Sequence, residues 1–120
     1  MSKPLNILIV EDHEDTASML KLLLRQEGHS VKIAGGVIAA QELAAENQFD
    51  LLMCDLGLPD GNAYDLMREL KKRSAIRGVA LSGYGSPEDI RDSLAAGFEA
   101  HLVKPVDFST LMQRINAGSA

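Results

Sequence analysis

Acids, a hydroxyl and an amine recur in this chain at one kind of place, the end of a short apolar run. Glu11 and Asp12 follow LNILIV, Asp55 follows LLMC, Ser82 closes VALS, and Lys104 follows AHLV. Three carboxylates brought together repel, and each resists ionisation unless positive charge joins them. A hard divalent cation such as Mg²⁺ resolves the repulsion, because it takes one or two carboxylates and keeps its other positions for water or phosphate oxygens. With Asp12 and Asp55 as ligands, Lys104 as a second positive charge and Ser82 as a hydrogen-bond donor, the set suits a phosphoryl group. Taken singly, each acid reads as a solvated loop residue. Five such residues all falling at the ends of apolar runs favours one shared site. A Ser/His/Asp arrangement fails, since no His lies at the right loop with an obvious nucleophile; His13 reads as a solvated loop residue.

The elements that must position these residues alternate. Leu5 to Val10 is apolar on both faces and reads as a central buried strand. Thr16 to Glu27 carries Leu20, Leu23 and Leu24 at helical spacing and stops at Gly28. Val31 to Ala34 is a second short strand, and Gly36 to Asn47 a helix with Val37, Ala40, Leu43 and Ala44 on one face. Leu51 to Cys54 is strand-length and delivers Asp55 into LGLPDG, a loop whose Pro and Gly suit a tight bend. Asn62 caps a helix running to about Arg73 with Leu66, Met67 and Leu70 inward. Val79 to Ser82 is the fourth strand. Ser86, Pro87, Glu88 and Asp89 start a helix that ends at Gly97, with Ile90 and Leu94 expected inward. Ala100 to Val103 is the fifth strand, and Asp107 caps a last helix containing Leu111 and Ile115. Five strands alternating with five helices on short loops call for an α/β fold, a doubly wound parallel sheet with helices on both faces. Right-handed crossovers then bring every strand's carboxyl end, and so all the residues above, to one edge.

Composition narrows the classes. The chain has 120 residues, a formal net charge of −5 and a single cysteine. That length suits one domain, expected to span residues 1–120. The acidic balance argues against a nucleic-acid surface. Cys54 alone excludes an internal disulfide framework and a CxxC metal site, and its apolar run makes it a core residue. No apolar stretch reaches membrane-spanning length and MSKPLN lacks the apolar region of a signal peptide, so no membrane partner and a cytoplasmic location are expected.

In this order and spacing, Glu11-Asp12, Asp55 with LGLPDG behind it, Ser82 and Lys104-Pro105 together resemble the response-regulator receiver domain of two-component signalling, over essentially the whole chain. The resemblance implies a flavodoxin-like, three-layer fold with strand order 2-1-3-4-5, which the doubly wound class includes. It implies that Asp55 is the phosphoacceptor, taking a phosphoryl group from a phosphohistidine on a histidine kinase or phosphotransfer protein. Mg²⁺ would be bound by Asp12, Asp55 and the backbone carbonyl of Gly57, with Glu11 acting through a metal-bound water. Lys104 would pair with the phosphoryl group, its bond to Pro105 would be cis, and Ser82 would be the switch hydroxyl. The switch partner in the family is usually Tyr or Phe three residues before the Lys; here it is His101, a smaller and titratable ring, and its other reading is an ordinary partly exposed strand residue. Output would leave through the face made by the fourth helix, fifth strand and fifth helix. Tyr84, two residues after Ser82, is expected to shade the phosphoryl group from water and slow its hydrolysis. The stretch GFEAHLVKPVD most resembles receivers attached to hybrid histidine kinases, so the chain reads either as such a domain or as a stand-alone receiver.

Two other readings are weaker. A phosphatase of the haloacid dehalogenase type also uses an aspartyl phosphate, but expects a second acid two residues after the nucleophile, where this chain has Gly57. A flavin-binding flavodoxin-like protein wants a Ser/Thr/Gly-rich phosphate loop after the first strand, where Glu11 and Asp12 would repel the phosphate.

Overall fold

The apolar runs pair as parallel strands in a computed structural model that describes residues 3–117. Strands β1 (Asn6–Val10), β2 (Ser30–Ala34), β3 (Leu51–Asp55), β4 (Arg77–Ser82) and β5 (Ala100–Val103) form one sheet in the order 2-1-3-4-5. Helices α1 (Glu14–Gln26), α2 (Val37–Glu46), α3 (Ala63–Arg73), α4 (Pro87–Ala96) and α5 (Phe108–Ala117) follow the strands one by one. This is the flavodoxin-like, three-layer doubly wound arrangement that the sequence calls for.

Alternation along the central strands builds two cores. Leu8, Val10, Leu52, Cys54 and Ala80 face one side and pack with Val37 and Ala40 of α2 and Leu66, Met67 and Leu70 of α3. Ile7, Ile9, Leu51, Met53, Val79 and Leu81 face the other, against Ala17, Leu20 and Leu24 of α1 and Leu111 and Ile115 of α5. β3 is buried along its whole length, so it needs apolar side chains on both faces, and each fully buried Leu or Ile contributes about 1.5–3 kcal/mol.

The helix starts follow from local chemistry. Asn62 Oδ1 accepts from the N–H groups of Tyr64 and Asp65, Ser86 Oγ from that of Asp89, and Asp107 Oδ2 from that of Thr110. His13 is exposed, but it is more than a solvated loop residue: its Nδ1 accepts from the Thr16 N–H and caps α1. α4 closes at Gly97, whose φ of 113° is a left-handed conformation that disfavours a side chain.

α4 is turned differently from expectation. Ile90 and Leu94 are 36 % and 50 % exposed, while Ser93 and Ala96 lie against the sheet. Apolarity alone favoured Ile90 and Leu94. The small side chains instead let α4 sit close to β5, and the buried Ser93 hydroxyl is satisfied by the Asp89 carbonyl at 3.0 Å.

Candidate functional site

Because the strands are parallel, the ends of β1, β3, β4 and β5 deliver their polar residues to one edge. Glu11 follows β1 and is almost fully buried, Asp55 closes β3, Ser82 closes β4, and Lys104 follows β5. The Lys104 ammonium donates to Glu11 Oε1 at 2.6 Å and to Asp55 Oδ2 at 3.0 Å. The other Asp55 oxygen accepts the Gly57 N–H at 2.9 Å. Glu11, Asp12 and Asp55 can each present a carboxylate oxygen within 4.8 Å of the others. Asp12 is the exposed member and opens the cluster to solvent. The Lys104–Pro105 peptide bond is cis.

The carboxylates are electrostatically unequal. Burial pushes the Glu11 carboxyl above its ordinary value, against the opposing pull of the Lys104 bond. Burial also pushes Asp55 up, but the Gly57 N–H and the Lys104 amine outweigh it and hold Asp55 below the ordinary carboxylate value. Lys104 is pushed down by burial and raised more strongly by its bonds to Glu11 and Asp55. At neutral pH Asp55 is therefore ionised, the state a nucleophilic carboxylate needs. Beside it, burial first and the Asp55 charge second push the Cys54 thiol up, so Cys54 stays a protonated core residue.

A divalent cation fits this donor set. Octahedral oxygens around Mg²⁺ are about 3–4 Å apart, and carboxylate oxygens of Glu11, Asp12 and Asp55 lie within 4.8 Å of one another. They are hard oxygen donors, and one amine leaves their charge undercompensated. Mg²⁺ would neutralise oxygen charge where a phosphoryl group comes in.

Ser82 is buried, and its Oγ accepts the Tyr84 N–H at 2.9 Å. The Tyr84 carbonyl lies 2.9 Å from His101 Nε2, and His101 Nδ1 lies 2.7 Å from Ser93 Oγ on α4. The carbonyl can only accept, so it fixes a proton on Nε2. His101 thus stands between the loop after Ser82 and α4, a connection that sequence reasoning did not reach because Ser93 carries no motif. Tyr84 is 77 % exposed. Its backbone is the engaged part, through the N–H to Ser82 Oγ and the carbonyl beside His101 Nε2.

Asp60 is a second residue that sequence reasoning missed. Its Oδ1 accepts the Val37 N–H at 2.8 Å and its Oδ2 the Ile38 N–H at 3.1 Å, capping α2 from the loop after Asp55. The signal was present in part, since Gly36 precedes α2 and offers no side-chain cap; the partner lies more than twenty residues away.

Comparisons with known proteins agree with this geometry. The model of the response regulator receiver domain family matches residues 7–116. The chain is 35 % identical over 109 residues to the response regulator protein PilR of Pseudomonas aeruginosa, covering 90 % of this chain and 24 % of PilR. It spans 49 % of the Escherichia coli regulator TorR, to which it is 30 % identical, so these curated relatives are two or more times longer. Among solved structures, a CheY-like receiver domain protein of Methanospirillum hungatei superposes with a TM-score of 0.89 at 29 % identity, covering 97 % of this chain and 94 % of that one. The receiver domain of the Saccharomyces cerevisiae regulator Ssk1, co-crystallised with the histidine phosphotransfer protein Ypd1, gives a TM-score of 0.91 at 25 % identity, covering 99 % and 91 %.

Proposed function

The chain belongs to the response regulator receiver domain family, and from that premise we propose that Asp55 is its phosphoacceptor, fed by a phosphohistidine on a histidine kinase or histidine phosphotransfer protein. One Asp55 oxygen attacks phosphorus, the phosphorus–nitrogen bond breaks, and its electron pair returns to the imidazole, leaving an acyl phosphate. Attack of water on that phosphorus later restores the carboxylate, so the domain promotes its own phosphorylation and dephosphorylation without being an enzyme for a separate substrate. The observation that carries this reading is the Asp55 carboxylate held between the Gly57 N–H and the Lys104 amine, beside Glu11 and Asp12.

Lys104 is placed to follow charge, passing from Asp55 Oδ2 to a phosphoryl oxygen as the acyl phosphate forms. Asp12, Asp55 and the Gly57 carbonyl would hold Mg²⁺ directly, and Glu11 through a water. The Ser82 hydroxyl would donate to another phosphoryl oxygen and draw inward. His101, bonded to the loop after Ser82 and to Ser93 of α4, is the switch partner. Phosphorylation shifts the equilibrium only by what the phosphoryl group gains in one state over the other. The output face is α4–β5–α5, which exposes Leu94 and Val103 at 50 % and 46 %. We place the domain, residues 1–120, in the cytoplasm, where phosphohistidine partners act; no helix among the described residues is long and apolar enough to cross a membrane.

The test is incubation with a small phosphodonor, with and without Mg²⁺, followed by intact-mass measurement. Wild type gains one phosphoryl group only with Mg²⁺, and Asp55→Asn gains none. Equal uptake by the Asn variant overturns the assignment.

A further inference from the structure

The loop between Asp55 and α3 carries the backbone that meets the acceptor carboxylate, so whatever holds this loop sets the acceptor's geometry. Three attachments hold it. The Leu56 N–H donates to the Leu81 carbonyl of β4 at 2.9 Å, Leu58 is buried in the core, and Asp60 grips the first turn of α2. The first two are made by backbone and by apolar packing. The third is a two-oxygen grip by one side chain on two N–H groups that α2 would otherwise leave without a protein partner.

The fit around that grip is tight on both sides. Gly36 stands where a Cβ would come within 2.6 Å of Asp60 Oδ1. Its φ of −171° is extended backbone that any residue adopts, so a side chain there would have only to push the Asp60 carboxylate off the N–H groups of α2. A Cβ at Gly61 would meet Val37 Cβ at 2.9 Å. The loop and the start of α2 thus interlock through Asp60, Gly36, Gly61 and Val37. The bonds from Val37 and Ile38 also hold the Asp60 carboxyl below its ordinary value, so the grip persists throughout the neutral range.

We propose that Asp60 is a positioning residue for phosphoryl transfer: by clamping the loop to α2 it fixes the Gly57 backbone against Asp55. The proposal rests on Asp55 being the phosphoacceptor. Asp60 does not touch the reacting atoms; it acts through Gly57, whose N–H orients Asp55 Oδ1. Releasing the clamp lets the loop sample positions in which that bond is lost, and misplacement of this kind costs rate.

Two variants break the clamp from opposite sides. Asp60→Ala removes the acceptor oxygens, and Gly36→Ala drives them away from α2 while leaving the loop sequence intact. Each is expected to lower the rate of phosphoryl uptake from a small phosphodonor at saturating Mg²⁺ by roughly tenfold. Because they break the same contact, the double variant is expected to be no slower than the slower single one. Asn47→Ala frays α2 from its far end, where Asn47 Nδ2 bonds the Leu43 carbonyl, and is expected to keep the rate within about twofold, which separates loop placement from simple loss of helix stability. Asp60→Asn keeps one accepting oxygen and is expected to recover part of the rate. Wild-type rates in both clamp variants, or multiplicative losses in the double variant, overturn the proposal. A wild type that takes up no phosphoryl group overturns the phosphoacceptor reading beneath it, and the clamp falls with that.

Discussion

The two edges of the sheet treat polar groups in opposite ways. At the N-terminal edge charges and strand ends are paired, with His29 Nε2 the exception: Asp50 accepts the Asn6 N–H at 2.8 Å, His29 Nδ1 accepts the Leu5 N–H at 3.0 Å, and the Arg77 guanidinium pairs with both Glu99 oxygens and the Ile115 carbonyl. At the C-terminal edge Glu11, Asp12 and Asp55 gather around the amine of Lys104. The first pattern staples the ends of strands and helices; the second stores uncompensated charge for an incoming ion or phosphoryl group. Concavity points the wrong way here, since a cavity of about 690 Å³ opens at the stapled edge among Leu5, Phe49, Leu70 and Ile76. Unbalanced charge, and not cavity size, marks the chemistry.

A cation removed from each edge therefore has a different consequence. Lys104→Met lowers the rate of phosphoryl uptake by about 100-fold, measured by mass against time, because it removes a charge aimed at the reacting oxygens. Arg77→Met leaves uptake within about twofold and instead lowers the unfolding free energy by about 1–2 kcal/mol in urea, since it loses charged hydrogen bonds in a partly buried setting. Equal effects of the two on uptake would erase the distinction between the edges.

A smaller effect sharpens the stapled edge. Burial holds the His29 imidazole below its ordinary value, against the opposing pull of Glu27. Among the described residues Nε2 is buried with no partner, and Nδ1 must stay unprotonated to accept from Leu5. The folded state therefore favours neutral His29. Its contribution is fully present above the unfolded value of about 6.5 and is lost as pH falls from there through the lower folded value. Urea midpoints are expected to fall over that window in wild type and to fall less in His29→Gln, whose amide oxygen can still accept from Leu5. Identical pH profiles would remove His29 from the account.

Much of this was legible in the sequence, for a physical reason. Parallel strands buried on both faces read as apolar runs, and the first polar residue after each run lies on the same edge, so Glu11, Asp55, Ser82 and Lys104 could be brought together without coordinates. What was not legible depended on contacts across space. Asp60 caps a helix that lies before it in the chain, which no local pattern encodes. Ile90 and Leu94 suggested an inward face for α4 that the sheet gives to Ser93 and Ala96, because close approach to β5 outweighs apolarity. The partners of His101 followed only once that rotation was known.

The central claim is that the Asp55 carboxylate becomes an acyl phosphate. Borohydride reduces an acyl phosphate to the alcohol, converting the aspartyl side chain to that of homoserine, and peptide sequencing by mass spectrometry locates the change. After treatment with phosphodonor and Mg²⁺, wild type is expected to carry homoserine at position 55 and at no other acid. Homoserine at Asp12, a reduced Glu11 side chain, or no reduced acid in a protein that has gained phosphoryl mass would contradict it.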